Sequence, residues 1–164
     1  MKTTITSTAE IIDEEEVNIW RIDKNNGTIL ININYLLDEG VSDCRWQDDE
    51  EKYLIAEYCD WTGNEVCAII KNDGQIIKRD IRSIENYIDN YELFIITITG
   101  LQLDFDATEY NLKNDEWNMA VIDRYGDFFI PPDYDNISYD EDENVFCIKD
   151  YKNGSEIKIP IEKK

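Results

Sequence analysis

Short apolar runs alternate with polar turns that close on glycine, and the same arrangement recurs along the chain. Arg21-Ile22-Asp23-Lys24-Asn25-Asn26-Gly27-Thr28-Ile29-Leu30-Ile31 is matched by Ile69-Ile70-Lys71-Asn72-Asp73-Gly74-Gln75-Ile76-Ile77. It is matched again by Val121-Ile122-Asp123-Arg124-Tyr125-Gly126-Asp127-Phe128-Phe129-Ile130, so the glycines recur at intervals of 47 and 52 residues. A degenerate fourth copy surrounds Gly154, from Cys147 to Ile157. Asn26-Gly27, Asp73-Gly74 and Asn153-Gly154 suit turn positions with φ > 0, which Gly and Asn tolerate and β-branched residues do not. The flanking Ile, Val and Phe favour pleated, half-buried strands. Each unit therefore predicts a β-hairpin.

A further strand opens each unit: residues 53–58 before Gly74, 91–99 before Gly126, and 144–148 before Gly154. Residues 60–64 and the longer polar stretch 104–116 read as variable loops. Helix is scarce. Ser7-Thr8-Ala9-Glu10 has the spacing of a capping box and predicts a short helix over residues 8–15. Ile81, Ile84, Ile88 and Tyr91 are spaced for a second helix over 80–90, although Ile84 aligns with Ile137 in an expected loop. The predicted fold is mainly β: repeated hairpin or meander units of about 50 residues, with at most one or two short helices. The expected organisation is one domain over 1–164, with units at 17–52, 53–90 and 91–143 and a C-terminal hairpin at 144–164.

The third unit resembles a WG (tryptophan-glycine) repeat. Trp117 stands in the Trp position, Val121-Ile122-Asp123 and Gly126 match, and Ile130-Pro131-Pro132 and Tyr134-Asp135 match closely. The resemblance extends weakly over residues 17–35 and 59–84. Asn118 replaces the defining Gly, and the first two units show Asn32-Ile33 and Arg79-Asp80 where Pro-Pro belongs. The resemblance implies stacked β-meander units acting as interaction modules, and it implies no catalytic residues.

Composition narrows the function more than the motifs do. Sixteen Lys plus Arg against 37 Asp plus Glu give a formal net charge of −21 over 164 residues. The 42% hydrophobic and 12% aromatic content is too rich for a disordered acidic tail. So acidic a chain repels phosphates, which opposes nucleic-acid binding and adsorption to anionic membranes. The chain has no histidine, which removes Ser-His-Asp and Cys-His catalysis and most zinc enzymes. No run approaches the roughly 20 apolar residues of a membrane span, and the first ten residues lack a signal-peptide core. A cytoplasmic location with reduced cysteines is therefore expected. Cys44, Cys59, Cys67 and Cys147 form no C-x-x-C pair and read as buried small hydrophobes, though Cys59 and Cys67 could face each other across a hairpin.

The carboxylates fall in three tetrads, 13–16, 48–51 and 140–143. Consecutive acids on a strand point to opposite faces, so they do not converge in one pocket, and nothing selects a glycosidase pair. Asp133-x-Asp135 and Asp140-x-Asp142 offer hard oxygen ligands for calcium, but no EF-hand loop surrounds them, and a solvated acidic loop is the simpler account. Trp20 and Trp117 precede Gly turns and read as packing residues of the repeat. Trp46 and Trp61 lie in polar contexts and read as exposed. Exposed aromatics beside acids make a surface suited to a basic protein. The function expected is that of an immunity protein, a non-enzyme without cofactor or metal. It would bind a basic bacterial toxin about one-to-one, a nuclease being the leading instance. The candidate contact residues are Trp46, Asp48, Asp49, Glu50, Glu51, Trp61, Tyr139, Asp140, Glu141, Asp142 and Glu143. The alternative is a WG-repeat scaffold or regulatory module with another partner.

Overall fold

The computed structural model describes residues 3–24, 29–60, 63–99, 117–134, 136–150 and 155–161. The fold is mainly β, made of antiparallel meanders in which each strand pairs with the next in sequence. The chain divides into two compact units, Met1–Asp80 and Ile81–Lys164.

The first unit begins with a three-stranded sheet of β1 (Thr3–Ile12), β2 (Glu15–Lys24) and β3 (Ile29–Asn32). A single helical turn, α1 (Ile33–Leu37), follows, capped at its start by Asn32, whose Oδ1 accepts the N–H of Tyr35 at 3.1 Å. A four-stranded sheet completes the unit: β4 (Val41–Trp46), β5 (Tyr53–Cys59), β6 (Glu65–Lys71) and β7 (Ile76–Ile81). Ile22, Ile33, Leu37, Leu54, Ala56, Tyr58, Ala68 and Ile70 pack into its core, with Trp20 and Trp46 partly buried against it.

The second unit holds β8 (Ser83–Ile88), β9 (Leu93–Thr99), β10 (Trp117–Ile122) and β11 (Phe128–Tyr134) in one sheet. Its other sheet has three strands, β12 (Asn136–Asp140), β13 (Val145–Asp150) and β14 (Ser155–Pro160). Ile95, Val121, Ile130, Ile137, Phe146 and Ile148 meet in its core. The central strands β5, β6 and β9 are buried on consecutive residues, and so on both faces. That burial explains why their sequences are continuous apolar runs and do not alternate.

The glycine turns share one geometry. At 71–75 the N–H of Lys71 donates to the carbonyl of Gln75 (2.8 Å) and that of Gly74 to the carbonyl of Lys71 (2.9 Å). At 123–127 Asp123 donates to Asp127 (2.9 Å) and Gly126 to Asp123 (3.1 Å). The stretch 60–64, expected as a variable loop, closes in the same way, Asp60 to Asn64 (2.9 Å) and Gly63 to Asp60 (3.0 Å). Gly63, Gly74 and Gly126 have φ of 86°, 95° and 85°, and at Gly74 and Gly126 this is the left-handed position of a three-residue hairpin with a G1 bulge. The turns at Gly27 and Gly154 and the loop 104–116 lie outside the described residues; the strands flanking the two turns are antiparallel partners.

Two helix expectations are corrected. Residues 8–15 belong to the β1–β2 hairpin, whose ten cross-strand pairs run from Thr3↔Lys24 to Ile12↔Glu15. Its two turn residues, Asp13 (φ 50°) and Glu14 (φ 68°), hold left-handed positions usually given to Asn-Gly. Lacking that dipeptide, the segment shows no hairpin signal, whereas Ser7 and Glu10 imitate a cap. Residues 80–90 hold β8 and then a 3-10 turn at Asp89–Tyr91, not a helix. Ile84 and Ile137 both lie in strands, and the loop expected there is not found.

Candidate interaction surfaces

The acids at 48–51 form the β4–β5 turn. The N–H of Gln47 donates to the carbonyl of Tyr53 at 2.8 Å and closes the loop. The Asp48 Oδ1 accepts the N–H of Glu50 at 3.1 Å, and the N–H of Glu51 reaches the Asp48 carbonyl at 3.3 Å. Glu51 is left-handed (φ 56°), and its carbonyl accepts from Asn72 Nδ2 at 3.1 Å, which ties this turn to the neighbouring Gly74 turn. Asp49 and Glu50 are exposed, whereas Asp48 and Glu51 are half-buried. Trp46 does not stand free beside them: it is partly buried against the core of the first unit.

The acids at 140–143 form the β12–β13 turn by the same device. Asp140 Oδ1 accepts the N–H of Asp142 (3.0 Å) and of Glu143 (3.1 Å). Asn144, left-handed at φ 56°, accepts from the Tyr139 hydroxyl (2.6 Å) and donates through Nδ2 to the Tyr91 hydroxyl (2.7 Å) and the Ile161 carbonyl (3.3 Å). Burial, then the neighbouring Tyr91, Glu141 and Asp140, push the Tyr139 phenol upward, so it remains a neutral donor. Glu141, Asp142 and Glu143 are exposed, and Glu143 pairs with Lys158 Nζ at 3.0 Å. In both turns the first Asp is committed to its own backbone and the next acids face water.

The predicted residues thus form two separate acidic turns, one in each unit. Trp61 lies outside the described residues, as does Asp135 of the calcium alternative; of Trp117 only the backbone is described. Trp20 packs as expected, and its Nε1 donates to the carbonyl of Val41 at 3.1 Å. Cys59 and Cys67 are not opposite each other: Glu65 faces Cys59 and Glu57 faces Cys67. Cys44 and Cys67 are buried, and that burial pushes both thiols up to about 12, so neither is a nucleophile at neutral pH. Cys147 is half-buried and Cys59 exposed, so the expectation of four buried cysteines fails for Cys59.

The third acidic group, 13–16, occupies the tip of the β1–β2 hairpin, where every residue from Ser7 to Glu16 is exposed. Two isoleucines stand there, Ile11 at 78% and Ile12 at 46% exposure. Tyr35 on α1 and Tyr125 beside Gly126 are further exposed aromatics, at 86% and 60%. The run of β-branched residues Thr3-Thr4-Ile5-Thr6 was the available sign of a strand. Comparison with family models, with curated proteins and with solved structures gives no match to the chain.

Proposed function

We propose that the chain is an immunity protein that binds a basic bacterial toxin about one-to-one and neutralises it in the cytoplasm. A nuclease is the leading target class, because its substrate cleft is cationic. The observation that carries this reading is the net charge of −21 displayed partly on turns that hold their own shape. Asp48 and Asp140 cap the turn backbone, leaving Asp49, Glu50, Glu141, Asp142 and Glu143 presented to solvent without prior disorder. A pre-ordered charged surface lowers the entropy lost on binding and raises association rates. No step of this role uses catalysis, a metal or a cofactor.

The test is capture of partners from source lysate in about 50 mM salt with washing to about 500 mM, where the screening length falls to a few ångströms. One basic protein retained near a one-to-one ratio, and lost when Asp49, Glu50, Glu141 and Asp142 become the matching amides, supports the reading. Elution of everything at moderate salt refutes it.

The recurrence of the same two closing backbone bonds in the stretches 60–64, 71–75 and 123–127 favours a second reading, a WG-repeat-like scaffold with another partner. Gene position separates the two. An immunity gene lies beside that of its toxin, and a free-standing gene favours the scaffold.

A further inference from the structure

The β1–β2 hairpin is a ribbon that outruns its sheet. β3 pairs with β2 only at Arg21, Ile22 and Asp23. The six pairs from Ser7↔Trp20 to Ile12↔Glu15 have no third strand beside them among the described residues. Two-stranded ribbons are marginal in water, and a third strand is the usual remedy. Among the described residues β1 is also the terminal strand of its sheet, and no described strand pairs with its outer row of N–H and C=O groups. Edge strands are ordinarily protected from pairing by Lys, Pro, a bulge or inward charge. β1 has no Lys or Pro, and its ten pairs with β2 run without a register shift.

We propose that a second copy of this chain pairs with β1, antiparallel and edge to edge, giving a continuous six-stranded sheet. Charge selects this edge. Two copies at −21 each repel over most of their surface. Along β1 the only charged residue is Glu10, and its Oε1 lies 2.7 Å from Arg21 Nη2, so the edge is close to neutral.

A two-fold axis normal to the sheet pairs residues that share a face, which requires an even sum of residue numbers. Centred on Ser7, it sets Ser7 opposite Ser7, Thr6 opposite Thr8, Ile5 opposite Ala9 and Thr4 opposite Glu10. No like charges meet. Ile11, the most exposed apolar side chain of the hairpin, falls diagonal to Ile5 of the second copy. The acidic tips leave in opposite directions, with the two Asp13 residues about 40 Å apart at 3.3 Å per residue.

The experiment is light scattering of the full chain after size exclusion, at about 20–200 μM in about 50 and 500 mM salt. The expected mass is twice the 19.3 kDa of one chain. Association should tighten several-fold at the higher salt, because screening relieves the mutual repulsion. Ser7→Asp, at an exposed position, places two carboxylates face to face and should weaken the dimer about tenfold with an unchanged circular dichroism spectrum. In a Cys59→Ser background, Ser7→Cys should oxidise to a covalent dimer faster than Tyr125→Cys. A mass of 19.3 kDa at both salts overturns the proposal and leaves the edge to a strand from another protein. A dimer indifferent to Ser7→Asp, or equal cross-linking at position 125, also overturns it by placing the contact elsewhere.

Discussion

Asn34 stands where β3 has ended and β2 has not, and its amide takes over the work of a neighbouring strand. Its Oδ1 accepts the N–H of Trp20 at 2.9 Å, and its Nδ2 donates to the carbonyl of Asn18 at 3.0 Å. The residue is 8% exposed, so water cannot fully replace it. Asn34→Ala orphans one backbone donor and one acceptor. At about 1–2 kcal/mol for each poorly hydrated group, the first unit should lose about 2–4 kcal/mol. With a slope of about 1.5 kcal/mol per molar urea, its unfolding midpoint should fall by about 2 M. The second unit should be unaffected. Amide exchange at Trp20 should accelerate selectively, since that N–H loses its partner. Asn34→Asp is the sharper control, because it keeps the acceptor and replaces the donor with a carboxylate facing a carbonyl. Burial and that carbonyl raise the pKa of the introduced carboxyl in the folded state above its unfolded value. The variant's relative stability is therefore greatest below the unfolded value and is lost as pH rises through the folded one. Wild-type stability for Asn34→Ala, or for Asn34→Asp at pH 7, would refute the strand-mimic argument.

Three further predictions concern other parts of the chain. The Tyr58 hydroxyl donates to Asp80 Oδ1 at 2.7 Å and accepts the Asp80 N–H at 2.8 Å, fixing Asp80 at φ 58°. Tyr58→Phe should cost about 1.5–3 kcal/mol in denaturant titration, and a loss below about 0.5 kcal/mol would show that water substitutes freely. With Cys44 and Cys67 held near 12 by burial, an aromatic disulfide reagent at pH 8 should modify Cys59 first and Cys147 more slowly, and should reach the other two only on unfolding. Glu14→Gly should stabilise the β1–β2 hairpin by about 1 kcal/mol, because φ of 68° burdens a side chain and not glycine; a fall in melting temperature would contradict this.

The mainly-β character and the Gly74 and Gly126 hairpins were legible because they rest on local chemistry. Glycine at φ > 0, flanked by β-branched and aromatic residues, has few alternatives to a hairpin. The acidic groups at 48–51 and 140–143 were legible as charge, but not as turns in which Asp48 and Asp140 are spent on the backbone. The β1–β2 hairpin was hidden because Asp13-Glu14 replaces the usual turn residues and its strands owe their form to cross-strand pairing. Trp46 was misplaced for a related reason. Polar neighbours along the chain suggested exposure, while the core that half-buries it is assembled from β2, β5, β6 and α1. Local sequence by itself determined the turns, the strand propensity and the field of negative charge. Which edges stay open, which aromatics remain exposed and which polar side chains complete a sheet were decided only by tertiary structure, because those properties depend on partners distant in sequence.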